Sequence, residues 1–291
     1  MVVSISTIFA GKPPIKFGDI DINDLKMEKC AFDEGAPAMI LCDYATASVS
    51  SSTLEFTYTH HRRIKIFNKQ GYDWANASIN HSSENNIGSL KAVTYYLENG
   101  EIQEVKMGKD AIFEEEVSTY GRKTKFTLPN VKEGCIIEYS YGVRYRGNLF
   151  SLKPWKFQSK IPTAHSEYRV SYPGWMDYRV DYPKYIAPTS QELDKVTGIY
   201  NWVYSNVPAF KTEALMPNPD NFLPTVSFQL ISATPPGGMY RSYLNEWSTI
   251  AGNLADESNY GIKPKNAPKY AKYATELCEG VTSEMEKAKI I

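Results

Sequence analysis

A two-residue alternation of apolar and polar side chains recurs from about residue 38 to residue 230, and it constrains the fold more than any other feature. The alternation is most regular at residues 135–145. One set of positions there is apolar or aromatic: Cys135, Ile137, Tyr139, Tyr141, Val143 and Tyr145. The other set is Ile136, Glu138, Ser140 and Arg144. Because successive residues of a strand point to opposite faces, the segment is predicted to be a half-buried antiparallel strand.

The same period occurs at residues 55–67. One face there carries Phe56, Tyr58, His60, Ile64 and Ile66, and the other carries Thr57, Thr59, His61, Arg63 and Lys65. Shorter runs at residues 38–44 and 74–81 predict two further strands. The Asn99-Gly100 pair stands between two alternating runs, which predicts a tight β-hairpin.

A short internal echo supports the same class of fold. YRVSYP at 168–173 returns as YRVDYP at 178–183, and six residues are too few for a solenoid or propeller repeat, which needs about 20 or more. Two strands joined by a Pro-Gly-Trp turn explain the echo better. The 21 tyrosines also favour β structure over helix bundles. The predicted fold is mainly β, a large antiparallel β-sandwich at residues 15–232.

Past residue 232 the pattern becomes helical. ATPPGG at 233–238 breaks the strand pattern, and three helix signals follow it: the stretches 243–254 and 268–280, and a capping box of Ser283 and Glu286. The helix that the capping box opens reaches Ile291 without a C-cap, so we expect the chain to be a fragment. Residues 233–291 are therefore predicted to be a linker and the first helices of a truncated domain.

The bulk properties exclude several classes of protein. The net charge is −1 and the pI about 6.5, so the sequence has no electrostatic signature of nucleic-acid binding. No run of about 18 apolar residues predicts a transmembrane helix.

The first residues are a separate segment. Residues 1–14 hold a short apolar stretch that ends at Lys12, Pro13 and Pro14. They fit either the end of a secretory signal, whose basic start lies upstream, or a first strand. We favour the signal remnant, which predicts a periplasmic or secreted protein.

Four cysteines are too few for a disulfide framework in 291 residues, and none forms a CxxC pair. Cys30 and Cys42 could bridge in an oxidising compartment, but scattered buried thiols are the favoured interpretation. Cys135 and Cys278 are the candidate nucleophiles, with His165 as the candidate base. The predicted apolar strand face of Cys135 and the predicted helix C-terminus of Cys278 both disfavour a thiolate, so neither is predicted to be catalytic.

Candidate metal and phosphate sites fail on spacing. His60 and His61 are adjacent strand residues that point to opposite faces, so they cannot grip one ion together. DIDIND at 19–24 begins like a calcium loop, but its sixth and twelfth positions are Asp24 and Cys30 instead of Gly and Glu. No phosphate-binding glycine motif is present, and the acidic run 114–116 is predicted to be a solvated loop. We therefore predict no catalytic, cofactor-binding or metal-binding residues in this chain.

The abundant tyrosines leave a second function open. Exposed aromatic rings on a sandwich stack on sugars, so a carbohydrate-binding module is the alternative function. The favoured interpretation is that tyrosine fills half-wet strand faces as a structural residue.

Five phrases, taken in order, resemble one family: IKFGDIDINDLKM (15–27), HRRIKIFNKQGYDWA (61–75), LPNVKEGCIIEYSY (128–141), WKFQSKIPTAHSEYRVSYP (155–173) and NVPAFKTEALMPNP (206–219). Together they resemble the β-sandwich domain of unknown function that precedes transglutaminase-like domains in secreted bacterial proteins. The likeness runs from about residue 15 to the end. The family position of Cys135 is often polar or acidic, so the resemblance implies no chemical role for this thiol.

The resemblance implies a fold like the N-terminal domain of zinc aminopeptidases, without their metal site. It also implies that Trp247, Ile250 and Ala251 lead into a transglutaminase-like core whose first helix is EMEKAKII, and that the Cys-His-Asp triad lies downstream of this chain. The expected function is a non-catalytic accessory domain that positions substrate or partner chains. The implied partners are a peptide or protein substrate and the downstream domain in cis.

Overall fold

The computed structural model describes residues 12–145, 152–182, 186–194, 196–243, 247–256 and 267–290. Its strands are β1 Ala38–Val49, β2 Phe56–Ile66, β3 Asn76–Ser82, β4 Asn86–Glu98, β5 Glu101–Lys106, β6 Ile112–Ser118, β7 Gly121–Thr127, β8 Ile136–Tyr145, β9 Trp155–Lys156, β10 Thr163–Ser171, β11 Met176–Asp181, β12 Ser190–Asp194, β13 Ile199–Val207, β14 Thr225–Ala233 and β15 Arg241–Ser242. Its α-helices are α1 Ile22–Lys26, α2 Trp247–Asp256, α3 Ala267–Leu277 and α4 Glu284–Ile290. Short 3-10 turns occupy Lys69–Ala75, Lys109–Ala111 and Pro219–Phe222.

An eight-stranded sheet forms the centre of the fold, in the order β12-β13-β10-β1-β2-β8-β4-β5. Neighbouring strands are antiparallel except β1 and β10, which run parallel. Smaller antiparallel sheets are formed by β3, β7 and β6, and by β14 with β11 and β9. The predicted class, mainly β with antiparallel sheets and short C-terminal helices, is confirmed.

One face of the large sheet builds the main core. This core face carries Ala45 and Ala47 of β1, Phe56, Tyr58, Ile64 and Ile66 of β2, and Ile137, Tyr139, Tyr141 and Val143 of β8. Phe126, Trp155, Phe157, Val226 and Phe228 from the other strands and their connections pack in the same cluster. The two faces predicted for residues 55–67 and for residues 135–145 are therefore confirmed.

The second face of the large sheet, called the outer face below, is less open than the alternation predicts. Residues 12–27, which we call the N-terminal strap, cover one end of it, and their Phe17, Ile20 and Leu25 pack on Tyr95 and Ile136. Ile136 and Glu138 are consequently fully buried. The prediction of a half-buried strand is wrong for the part of β8 that holds Ile136 and Glu138, because the N-terminal strap, distant in sequence, covers its polar side.

Three short polar segments have defined local structures. The acidic run 114–116 is not a loop but the middle of β6, where its carboxylates pair across the strand with Arg122 and Lys125 of β7. The capping box is borne out on one side, since the Ser283 hydroxyl accepts a hydrogen bond from the Glu286 amide at 3.4 Å. DIDIND instead starts α1, where the Asp21 side chain accepts from the Asn23 amide.

Contacts divide the chain into two compact units, residues 1–241 and 242–291. The second unit holds α2, α3 and α4. None of the described helices is long and apolar enough to cross a membrane. A signal remnant is expected at residues 1–14, and the first eleven of these residues lie outside the described part of the chain, as do Pro183 and Ile291.

Cys135 offers a test of the core. The turn at residues 132–134 leads into β8, with Gly134 at φ +78°, and the Cys135 side chain is fully buried in the main core. Cys135→Ser places a hydroxyl there, so we expect the free energy of unfolding to fall by about 1–3 kcal/mol in urea titrations. Cys278→Ser, at a half-exposed position, is the control. A neutral Cys135→Ser would show that the core is wetter than the structure indicates.

Candidate functional site

A β-bulge in β1 aims a carboxylate into the main core. Ala38 and Ile40 face the core before the bulge, and Ala45 and Ala47 face it afterwards, because the register shifts between Ile40 and Cys42. Without the shift, Asp43 would point to the outer face. The bulge thus places an ionised group among aromatic rings, where it needs partners.

Asp43 finds those partners on β2. The Arg62 guanidinium donates to both of its carboxylate oxygens, at 2.9 and 2.6 Å, and His60 Nε2 donates to Asp43 Oδ1 at 2.6 Å. His60 Nδ1 then accepts from the Tyr141 hydroxyl at 3.2 Å. The Trp155 ring packs edge-on against the imidazole at 5.2 Å between ring centroids.

The charges of this network follow from burial and pairing. Burial alone would raise the pKa of Asp43, but Arg62 and His60 outweigh it and lower the pKa to about 2. Burial lowers the pKa of His60 to about 4, against the pull of Asp43, so the imidazole is neutral at pH 7. The arrangement resembles a Tyr-His-Asp relay, yet His60 and Tyr141 are 6% and 7% exposed. Its chemistry is that of a buried structural network.

The outer face holds a second set of buried charges, and these bind the main chain of the strap. Arg169 Nη2 donates to the Lys12 carbonyl at 2.9 Å, and Arg63 Nη2 donates to the Lys16 carbonyl at 3.0 Å. Lys65 Nζ donates to the Leu25 carbonyl at 2.5 Å and to the Gly134 carbonyl at 2.6 Å. Three cations on β10 and β2 therefore hold main-chain carbonyl groups of the strap, two before α1 and one, that of Leu25, within it.

Glu138 completes this attachment. It accepts from the Gly18 amide at 2.9 Å, from His61 Nε2 at 2.8 Å and from the Arg63 guanidinium at 2.7 and 3.0 Å. Burial raises its pKa, but the hydrogen bond from His61 and the charge of Arg63 prevail and keep the pKa below its usual value. His60 and His61 thus serve separate networks on opposite faces, as their adjacency predicts.

Beside the strap, the outer face is open and forms a groove. One part has a volume of about 430 Å³ and is lined by Thr57, Thr59, Glu84, Gly88, Ser89, Ser140, Tyr141, Gly142, Val143 and Arg144. A second part, of about 450 Å³, is lined by Thr59, His60, His61, Ser140, Tyr44 and strap residues Lys12, Pro13, Ile15, Lys16 and Phe17. The two parts share Thr59 and Ser140. We call them together the outer-face groove.

The floor of the groove is made of two glycines that face each other. Gly88 of β4 and Gly142 of β8 are register partners. A Cβ at Gly88 would have no heavy atom within 4 Å, and one at Gly142 would meet none closer than 3.8 Å. Neither has a positive φ. The backbone therefore does not require glycine here, and what the pair provides is open space between the strands.

Several polar side chains around this floor make no hydrogen bond or ion pair with the described residues. Within the described part of the chain, the hydroxyls of Thr57, Ser89 and Ser140 have no hydrogen-bond partner, and Arg144 has no ion-pair partner. Ser89 also has φ +56°, in a bulge of β4 between Gly88 and Lys91. A backbone held in this sparsely populated region is a common feature of binding sites.

The remaining sequence candidates lie apart. Cys30, Cys42 and Cys135 are buried free thiols, and Cys278 is a half-exposed free thiol in the second unit. His165 Nε2 binds Glu167 at 2.9 Å, and no hydrogen bond in the described residues joins a cysteine to a histidine. The described residues also contain no cluster of three or more His, Cys, Asp or Glu side chains that could hold a metal ion.

The aromatic side chains of the large sheet serve the core. Tyr58, Tyr168, Tyr200, Trp202 and Tyr204 are all buried there, and Tyr178 of β11 is buried in the same core. The interpretation of strand tyrosines as structural residues is therefore confirmed for these positions. Sequence analysis missed the groove, whose only signals are Gly142 within an alternating strand and Gly88 at the start of another.

These features define a mainly β protein whose central sheet carries a polar groove on one face. The chain belongs to the family of the domain of unknown function DUF3857, whose model matches residues 53–211, more than half of its length. The match agrees with the resemblance to a domain of unknown function. No curated protein matches the sequence.

A solved structure shares the fold. The crystal structure of a protein described as a "putative protease" from Parabacteroides distasonis ATCC 8503 superposes with a TM-score of 0.63 at 15% identity, over 87% of this chain and 49% of that chain. The chain therefore spans about half the length of that protein. Yeast leukotriene A4 (LTA4) hydrolase in complex with bestatin matches at a TM-score of 0.35 and 10% identity, over 68% of this chain and 30% of that one, which is too low to indicate a common fold.

The buried Asp43–His60 pair predicts acid sensitivity. As the pH falls from 6.5 to 4, an unfolded His60 takes up a proton that the folded chain refuses, so stability is lost in this window; Asp43 adds a loss between pH 3.8 and about 2. We expect His60→Gln to flatten the plot of unfolding free energy against pH between 6.5 and 4, by about 1–3 kcal/mol in total.

The control is Tyr141→Phe, which removes the hydroxyl at Nδ1 and leaves the histidine in place. It should retain the wild-type slope. An equally steep wild-type and His60→Gln profile in urea titrations at each pH would contradict the assignment.

Proposed function

We propose that this chain is a non-catalytic accessory domain of an extracytoplasmic transglutaminase-like protein, periplasmic or secreted, in which it positions a peptide or protein substrate. The observation that carries the proposal is the exposed apolar surface of the C-terminal helices. Such a surface calls for a further part of the protein to cover it.

Each of two helices exposes one apolar stripe. Trp247, Ile250 and Leu254 of α2 are spaced by three and four residues, as are Tyr270, Tyr273 and Leu277 of α3. This spacing places each set on one side of its helix. Five of the six side chains are exposed, with Trp247 at 85% and Tyr273 at 65%. Helices with these stripes are suited to packing against the first layer of a second core.

The buried cysteines of this chain support a non-catalytic role. Burial raises the pKa values of Cys42 and Cys135, which keeps both thiols protonated at neutral pH. A transglutaminase-like protein needs a thiolate beside an imidazole for acyl transfer or peptide hydrolysis. That pair would come from the covering domain, and the β-sheets would hold the substrate chain against it.

The stripes give a test with a matched control. In the 291-residue chain, the double variant Tyr273→Ser/Leu277→Ser alters solvent-exposed positions, so its unfolding free energy should stay within about 0.5 kcal/mol of wild type. In the longer gene product, the same variant should destabilise by about 2–4 kcal/mol, because each side chain would be buried there. Lys272→Ser/Glu276→Ser, on the other side of α3, should be neutral in both. Equal effects of the two double variants in the longer product would contradict the proposal.

Activity gives a second test. Incubated with casein and an amine donor, the 291-residue chain should produce neither cleaved nor cross-linked product. Turnover that is lost on Cys135→Ala or Cys278→Ala would show that the chain is an enzyme by itself. Reading the gene beyond the codon for Ile291 is a direct check of the protein class, since a Cys, a His and an Asp in that order are expected.

A further inference from the structure

We propose that the outer-face groove is a binding site for an extended acidic peptide segment. The inference rests on the proposed function in one respect: it names the class of chain that an accessory domain would hold. The supporting observations are the charge, the length and the hydrogen-bonding groups of the groove.

The groove carries an excess of positive charge on a chain of net charge −1. Lys12 and Lys16 line its strap end and Arg144 lines its far end, and none of these three side chains has an ion-pair partner among the described residues. Glu84 is the one unpaired carboxylate of the lining. A ligand with carboxylates spread along its length is complementary to this distribution.

The dimensions of the groove fit a short extended chain. From Ser140 to Arg144 the floor follows four residue steps of β8, about 13 Å at the rise of a strand. A further part of similar volume continues from Ser140 under the strap. A bound phosphate would reach one end only, whereas an extended peptide of six to eight residues would reach the cations at both ends.

The chemistry of the walls matches a peptide backbone. The hydroxyls of Thr57, Ser89 and Ser140 can each donate and accept, which suits both the N–H and the C=O of a main chain. The Thr59 hydroxyl already makes a hydrogen bond with the Thr46 hydroxyl, at 2.5 Å between their oxygens. The facing glycines, Gly88 and Gly142, leave room for a backbone to approach the sheet closely.

The strap shows that this face already binds main chain in the same way. Its segment lies across the sheet with carbonyls bound by Arg169, Arg63 and Lys65, and with one amide bound by Glu138. The groove lies next to this segment and offers Arg144 and free hydroxyls in place of those groups. A peptide in the groove would thus occupy the open half of a surface whose other half binds the main chain of the strap.

The test is fluorescence anisotropy of the 291-residue chain with a labelled octapeptide in which glutamate alternates with threonine. We expect saturable binding below about 1 mM that weakens at high salt, and no saturable binding of the matched peptide with lysine in place of glutamate. Arg144→Gln should weaken binding about fivefold, the effect of one charge-assisted hydrogen bond at an exposed site. Arg179→Gln, an exposed strand position of β11, is the control and should bind as wild type.

Gly88→Val tests the floor. A Cβ at this position meets no heavy atom within 4 Å, so we expect the thermal melt to match wild type, while the filled floor should weaken binding at least fivefold. Wild-type affinity in both Arg144→Gln and Gly88→Val would overturn the proposal, as would equal binding of the lysine peptide. Inorganic phosphate that competes as well as unlabelled acidic peptide would also overturn it, because the site would then bind small anions. The assay contains no catalytic domain, so a failure here is distinguishable from a failure of the helix-stripe test.

Discussion

The buried contact between Glu138 and Arg63 is the interaction on which the outer face of the large sheet depends. An ionised carboxylate with no exposed surface is stable only when its oxygens are fully paired, and here one guanidinium, one imidazole and one main-chain amide do so. Two of these partners come from β2, and the third is Gly18 of the strap. Removing any of them would leave this buried charge with fewer hydrogen bonds, so the strap is part of the electrostatics of the sheet.

This constraint divides the outer face into two halves. Towards the Lys65 end of β2, charged side chains of the sheet and the apolar residues Phe17, Ile20 and Leu25 of the strap fix this covering segment in place. Towards the Thr57 end, the sheet carries hydroxyls, glycines and Arg144, which has no ion-pair partner in the described part of the chain, and these residues line the groove. The core face is organised by a second network, in which a bulge of β1 turns Asp43 inward, Arg62 neutralises its charge and the neutral His60 donates a hydrogen bond to it. Ionisable groups in this sheet thus organise the fold. The groove is the part of the outer face where hydroxyls and a guanidinium have no hydrogen-bond or ion-pair partner among the described residues.

Much of the fold could be predicted from the sequence, because the core face of an antiparallel strand repeats every second residue. The faces of Phe56–Ile66 and of residues 135–145, and the helical character past residue 232, follow from such local patterns. The parallel pairing of β1 with β10 and the covering of Glu138 could not be predicted, since both depend on segments more than 100 residues away in sequence. The acidic run 114–116 is a strand, and a local pattern predicts a loop there. The reason is that arginine and lysine partners on the neighbouring strand, which a local pattern does not show, stabilise the run as a strand. The groove could hardly be predicted from the sequence, because it depends on the pairing of Gly142 with Gly88, and the sequence does not show that these two residues are register partners.

The central claim is that buried charges of the sheet hold the strap through its main chain. Native-state hydrogen exchange of the Gly18 amide measures this directly, because the amide donates to Glu138 and to no other group in the described residues. We expect the Gly18 amide to be protected to nearly the level of the β2 and β8 amides in the wild-type chain. In Glu138→Gln, whose neutral amide accepts a weaker hydrogen bond, that protection should fall while β3 and β7 keep theirs. A Gly18 amide that exchanges like an open loop in the wild-type chain would contradict the account.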